Sequence, residues 1–286
     1  MNYDRLAEHA GFAGYYDGPF QLQSELVLQY VVEALSSMGI ELGAIGQDEK
    51  LPPFHWDPRH NKLIPQLMKI LEEAGVAERD SDGTIRRTGK QITAQTAVSL
   101  HHKMLKKYLQ YASETNLLHT TSSKLASCLL VTADPLALIF KDANARALLE
   151  DVYANAPMFK TGTLLLADYL VSTLESFSHD REIRILEPGA GTGGTTSHLV
   201  ERLTSAVRGD QSRLSYTLTD VSPSLIATAR RKWGFMQYAV LDTYDILIST
   251  NCIHVTKDLV RSATNIRKTL RADGVLCLVE LTRNLF

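Results

Sequence analysis

Two groups of side chains in this 286-residue chain have the types and spacing for chemistry. The first is a glycine turn, Ile185 to Thr196, reading ILEPGAGTGGTT, in which an apolar run ends in Glu187 and is followed by glycines at 189, 191, 193 and 194. The second is His254, a few residues past the candidate strand Tyr244–Thr250, together with Glu280 at the end of Val275–Glu280. If those two stretches are neighbouring parallel strands, imidazole and carboxylate emerge at one carboxyl edge, where open α/β sheets bind ligands. A carboxylate beside imidazole fixes its tautomer and raises its basicity, leaving the second nitrogen to take a proton.

A strand, a glycine turn and a helix start describe a place where backbone approaches a ligand, with unpaired N–H groups and a positive dipole end available. Gly189-x-Gly191-x-x-Gly194 also fits the dinucleotide fingerprint. However, Glu187 would repel a pyrophosphate and attract the amino group of a methionine moiety, so E-x-G-x-G after a strand is read as an S-adenosylmethionine site. An NAD oxidoreductase is the rival on this motif. Cofactor-binding candidates are Glu187, Gly189, Ala190 and Gly191. Asp220 is positioned for ribose hydroxyls, or alternatively as a helix cap, with Val221 beside it. Leu241 and Asp242 follow on the adenine side, Asp242 with a turn role as alternative, and Asn251 completes the set.

The elements that must hold these residues fall into two halves. Gln21 to Leu35 and Asn61 to Ala74 carry apolar residues at helical spacing, and Gly75 closes the second helix. VAERDSDGTIRRT then reads as a hairpin around Asp82-Gly83. Helix, glycine and two-stranded wing form a winged-helix-like lobe over about 21–90, within a helical region 1–154. Arg86, Arg87 and Lys90 on the wing would serve a DNA reader, but the net charge of −2 argues against nucleic acid. The basic cluster His101 to Lys107 is read as a solvated helix face. Beyond His179 the pattern becomes strand–helix alternation, a Rossmann-like parallel sheet over 155–286. Strands are expected at Ile183–Glu187, Leu214–Asp220, Phe235–Leu241, Tyr244–Thr250 and Val275–Glu280. Helices are expected at Thr195–Val207, Pro223–Lys232 and Asp258–Leu270, the last ended by Gly274.

One connection is too short. Parallel strands need a crossover of roughly a dozen residues, yet about one residue separates Leu241-Asp242 from Tyr244. Asp242-Thr243 is a poor hairpin turn, so a segment missing between Leu241 and Tyr244 is expected, with a smaller gap near Trp233-Gly234. The chain also stops after the fifth strand, where a complete methyltransferase sheet has two more; an excised or incomplete domain is expected.

Composition sets the remaining bounds. Hydrophobic residues at 44% and charged at 22% are those of a globular protein with a sizeable core. Cys128, Cys252 and Cys277 form neither a disulfide pattern nor a metal spacing, which suits a reducing, cytoplasmic setting without metal. No run approaches the roughly 18 apolar residues of a membrane span. The N-terminus is polar and acidic, unlike a signal peptide.

LEPGAGTGGTTSHLV, YTLTDVSPSLI, STNCIHVTKDLV and LVELTRN, with EDVYANAPMFKTGT and LHTTSSKLASCLL upstream, resemble the C-methyltransferase domain of fungal non-reducing iterative polyketide synthases of the citrinin-synthase type. The resemblance runs from about Gln21 to the end. It implies a class I methyltransferase core under a helical N-terminal lobe. It also implies methyl transfer from S-adenosylmethionine, leaving S-adenosylhomocysteine, to the α-carbon of a β-ketoacyl chain on an acyl carrier protein, within a megasynthase. The family's His-Glu pair falls on His254 and Glu280, and its active-site tyrosine on Tyr153. In that reading His254 removes a proton between ketone and thioester, and the resulting enolate takes the methyl. A phenolic O-methyltransferase and an inactive scaffold domain are the alternatives.

Overall fold

The computed structural model describes residues 2–178, 181–207, 213–238 and 243–281. In chain order the helices and strands begin with α1 (Tyr3–Ala10), α2 (Pro19–Ser37), α3 (Ile64–Glu73), β1 (Ala77–Arg79) and β2 (Ile85–Arg87). There follow α4 (Ala97–Lys107), α5 (Ala112–Ser122), α6 (Leu125–Leu129), α7 (Pro135–Phe140), α8 (Ala143–Asn155) and α9 (Pro157–Glu175). The α/β part is β3 (Ile183–Pro188), α10 (Gly194–Ala206), β4 (Leu214–Thr219), α11 (Pro223–Lys232), β5 (Tyr244–Thr250), α12 (Leu259–Thr269) and β6 (Leu270–Val279). The chain divides into two compact units, Gly14–Leu149 and Met1–Ala13 with Glu150–Asn284.

In the first unit, α3 buries Leu67, Met68 and Leu71 against Val31 and Leu35 of α2. Gly75 adopts φ +68°, and its N–H donates to Glu72 O, ending α3 and sending the chain into the β1–β2 hairpin. The three cations that a DNA-reading wing would present are spent on the fold. Arg86 pairs with Asp80, Lys90 Nζ donates to Ala74 O, and buried Arg87 donates to the carbonyls of Leu42, Val76 and Lys90. The α4 face is not wholly solvated either: His101 is buried, bonded through Nε2 to Asn116 Oδ1 and stacked on His119 because α5 lies over it.

The second unit is a parallel sheet in the order β4–β3–β5–β6. Alternation sorts the faces. Ile183, Ile185, Ile246 and Ile248 join Leu170 of α9 and Leu199 and Leu203 of α10 in one core. Leu186 and Leu247 turn the other way, against Ile266 of α12. The N-terminal α1 belongs to this unit and lies on α9. At the amino edge of the sheet, buried Asp245 accepts from Arg184 N–H and pairs with Arg181 and Arg271.

Two sequence expectations change here. The third strand, Phe235–Leu241, is reduced among the described residues to a parallel bridge of Gln237 with Thr217. The expected break between Leu241 and Tyr244 falls on 239–242, outside the described residues. Gly274 does not end α12: the helix stops at Thr269 and Gly274 lies inside β6. There the ladder shifts register and a methyl on Gly274 would come within 3.0 Å of Asp245 O. Close backbone approach, not a helix stop, is what this glycine serves.

Candidate active site

Sheet order fixes the crevice. β4 lies on one side of β3 and β5 on the other, so the loops after β3 and β5 diverge at the point where the connections switch direction. The glycine turn after β3 occupies it. The N–H groups of Gly189 and Ala190 donate to Thr219 O at 2.8 and 3.1 Å, and Gly191 N–H donates to Asp220 Oδ2 at 2.9 Å. Asp220 Oδ1 accepts from Ser222 N–H at 2.8 Å, so this carboxylate joins the turn to the start of α11. Of the two roles read from the sequence, the brace at a helix start is the one seen here, and each oxygen keeps a further lone pair. Gly191 (φ +57°) faces open space, its nearest neighbour for a methyl being 4.0 Å away. Val221, which follows Asp220 in the chain, is fully exposed. Leu241 and Asp242 lie outside the described residues.

Glu187 is 1% exposed. Its Oε2 accepts from Tyr216 OH at 2.6 Å and Thr196 Oγ1 at 2.9 Å, while Oε1 is buried with no hydrogen-bond partner among the described residues. Burial pushes its pKa up to about 7, against the pull of those two hydrogen bonds. An orphaned acceptor at the end of the strand that leads into the glycine turn fits a ligand that brings an ammonium group. The residues present therefore fit the amino-acid end of S-adenosylmethionine.

At the end of β5 the chain makes one more ladder bond, Asn251 N–H to Val279 O at 2.8 Å, and then turns sharply at Asn251 (φ +50°). Asparagine tolerates this left-handed conformation better than most residues. The turn leads into a short 3₁₀ segment, Ile253–Val255, that wraps around Glu280. Glu280 Oε1 accepts the N–H groups of Cys252 and Ile253 at 3.2 and 2.8 Å, and Oε2 accepts from His254 Nδ1. A carboxylate facing Nδ1 keeps the proton there and leaves the Nε2 lone pair free. The imidazole is 43% exposed, so it can meet a substrate.

Glu280 also lines a cavity of about 230 Å³, to whose wall His254 does not contribute. Thr250, Asn251, Val279 and Glu280 line it from the carboxyl ends of β5 and β6, Thr195 from α10, and Tyr153 and Phe159 from the α8–α9 corner. Asn251 Oδ1 is buried without a partner among the described residues. Tyr153 stacks edge-on against Phe159 with centroids 5.3 Å apart, and burial raises its phenol above the ordinary value, keeping it a proton-bearing donor. Its placement depends on Gly194, where a methyl would lie 2.8 Å from Ala154 N and Tyr153 C. His198 Nε2–H donates to Ala154 O at 2.7 Å and fixes the same corner. The structure thus brings Tyr153, Asn251, His254 and Glu280 to one edge with the glycine turn.

Sequence reading missed Thr195 and Thr250, whose hydroxyls are 3.1 Å apart on the cavity wall, and the Tyr216–Thr196 bracket on Glu187. The helix-start position of Thr195 and the strand-end position of Thr250 were the available signals. Tyr3 and Phe12, which also line the cavity, had none.

Residues 1–84 match a family model described as "Methyltransferase, Helix-turn-helix domain", and residues 186–276 one described as "Methyltransferase domain". The chain is 47% identical, over 96% of its length, to the non-reducing polyketide synthase ausA of Emericella nidulans, and spans 12% of that protein. It is 42% identical over its whole length to the 5-methylorsellinic acid synthase of Aspergillus terreus, of which it spans 11%. Among solved structures, the citrinin polyketide synthase CMeT domain superposes with a TM-score of 0.91 at 28% identity, over 99% of this chain and 77% of that one. The CurJ carbon methyltransferase shares the fold at 23% identity (TM-score 0.81), over 98% of this chain and 78% of that one. Glycine turn, sheet order and helical N-terminal region agree with these matches: the chain belongs to the S-adenosylmethionine-dependent C-methyltransferase domains of fungal non-reducing polyketide synthases, with the class I fold.

Proposed function

We propose that this chain methylates the α-carbon of a β-ketoacyl thioester carried on an acyl carrier protein, with His254 as general base and Glu280 as its partner. The observation that carries this reading is the bracket around Glu280, a residue of the cavity wall, which holds His254 Nδ1 and leaves Nε2 without that partner. Glu187 Oε1 would take the amino group of S-adenosylmethionine, the backbone at Gly189 to Gly191 its amino-acid portion, and Asp220 the ribose hydroxyls. When bound, S-adenosylmethionine supplies a methyl group on a positively charged sulfur.

The protein's own part is positioning and one proton transfer. The hydrogen between ketone and thioester passes to His254 Nε2, its electron pair spreading over the two carbonyls as an enolate. The Nδ1 proton stays on the Glu280 side and the imidazolium is paired with the carboxylate. The Tyr153 hydroxyl offers a hydrogen bond to those oxygens, and the apolar wall of Phe159 and Val279 keeps water away from the carbanion. The name of the 5-methylorsellinic acid synthase, a product with a ring methyl, supports carbon as the acceptor.

The test is product analysis with a β-ketoacyl thioester and with a phenol, each supplied with S-adenosylmethionine. Carbon methylation of the thioester and none of the phenol is expected. O-methylation of the phenol alone overturns the reading, and so does no methylation of either by a chain that binds the cofactor.

A further inference from the structure

Cys252 stands between the two halves of the site, and neither cofactor binding nor the proton transfer gives it a task. Its side chain lies against the glycine turn so closely that a methyl on Gly189 would be 2.2 Å from Cys252 Sγ and 3.0 Å from its Cβ. Its backbone N–H is one of the three donors that close on Glu280. The left-handed turn at Asn251 is what lets one residue face both ways: the thiol points back to the turn after β3 while the backbone runs on toward His254.

We infer that Cys252 is a positioning residue, a strut that sets the distance between the glycine turn and the imidazole of His254. The inference rests on the base role proposed for His254. A spacer of this kind matters because displacement of reacting groups by about 1 Å costs on the order of 100-fold in rate. Sulfur suits the place: the side chain is short, unbranched and large enough to fill the gap left by a missing Cβ at Gly189. Burial and the Glu280 carboxylate raise the thiol pKa, so Cys252 stays a neutral filler and not a nucleophile.

The test uses Cys252→Ala, Cys252→Ser, Gly189→Ala, the Gly189→Ala/Cys252→Ala double variant and His254→Ala. Each is measured for thermal stability, S-adenosylhomocysteine Kd, kcat and KM on a β-ketoacyl thioester. The His254 imidazole titration is followed by NMR in the ligand-free wild-type and Cys252 variants. Cys252→Ala should lower kcat about tenfold or more, with KM and Kd within about threefold, and should shift the His254 titration. Cys252→Ser should recover most of that loss. Gly189→Ala should weaken S-adenosylhomocysteine binding at least tenfold. The double variant should bind more tightly than Gly189→Ala alone, because the strain of a left-handed alanine is common to both and only the sulfur contact differs. Wild-type kcat and an unmoved titration in Cys252→Ala overturn the strut; so does a double variant no better than Gly189→Ala. If Gly189→Ala does not fold, the two Cys252 variants decide alone. Activity retained in His254→Ala overturns the base assignment itself. His254→Ala inactive with Cys252→Ala fully active overturns only the strut.

Discussion

One oxygen of Glu280 holds His254 Nδ1 while the other holds the backbone that carries His254, so a single carboxylate fixes both the ring and the loop it stands on. The partner is built into the edge of the sheet, one residue past β6, and the imidazole hangs on a turn too short to position it alone.

Glu280→Gln keeps size and shape but presents an amide. An NH₂ group facing Nδ1 favours the tautomer with the lone pair on the wrong nitrogen. We expect kcat to fall by about 10²- to 10⁴-fold, the range of general-base contributions. S-adenosylhomocysteine affinity should stay within a few-fold by calorimetry.

Tyr153→Phe removes one hydroxyl from the cavity wall and keeps the ring contact with Phe159. A single lost hydrogen bond is worth about 0.5–1.5 kcal/mol, so kcat/KM should fall by roughly tenfold or less, with cofactor affinity unchanged. A loss as large as that of Glu280→Gln, in steady-state kinetics, would move Tyr153 from shaping the substrate to handling the proton.

Gly194→Ala forces a methyl onto the backbone of α8, 2.8 Å from Ala154 N. Because backbone cannot swing aside as a side chain can, the α8 end and Tyr153 must shift. Overpacking of this kind costs about 1–3 kcal/mol, read as a lower midpoint in thermal or urea unfolding, with a parallel loss of activity.

Glu187 makes stability depend on pH. Its folded pKa of about 7 lies above the ordinary 4.5, so the folded state binds the proton more tightly than the unfolded chain. The stability it contributes is fully present below about 4.5 and is lost as pH rises through 7, a change on the order of 3 kcal/mol. Glu114, raised to about 7 by burial, acts in the same sense. Comparison of wild type with Glu187→Gln isolates the Glu187 part: the variant should lose less stability between pH 5 and 8 in denaturant titrations, and an identical slope would contradict the assignment.

Much of this was legible in the sequence for physical reasons. β3 and β5 carry apolar residues on both faces, Ile185 with Leu186 and Ile246 with Leu247, because parallel strands are buried on both sides, and a strand ending in E-x-G-x-G leaves its backbone little freedom except to turn into a helix start. The His254–Glu280 pairing came from strand adjacency alone. The illegible part came from contacts distant in the chain. Tyr3 and Phe12 reach the cavity only because α1 lies on α9, and His101 is buried only because α5 covers it. Gly274 carries the local signature of a helix stop, and only the close approach of Asp245 O shows its place inside β6.

The most direct measurement is His254→Ala assayed in parallel for S-adenosylhomocysteine binding and for methylated product from a β-ketoacyl thioester. Wild-type affinity with product reduced by at least about 100-fold is the expected result. Methyl transfer at the wild-type rate, with the cofactor bound, would contradict the assignment of His254 as the base.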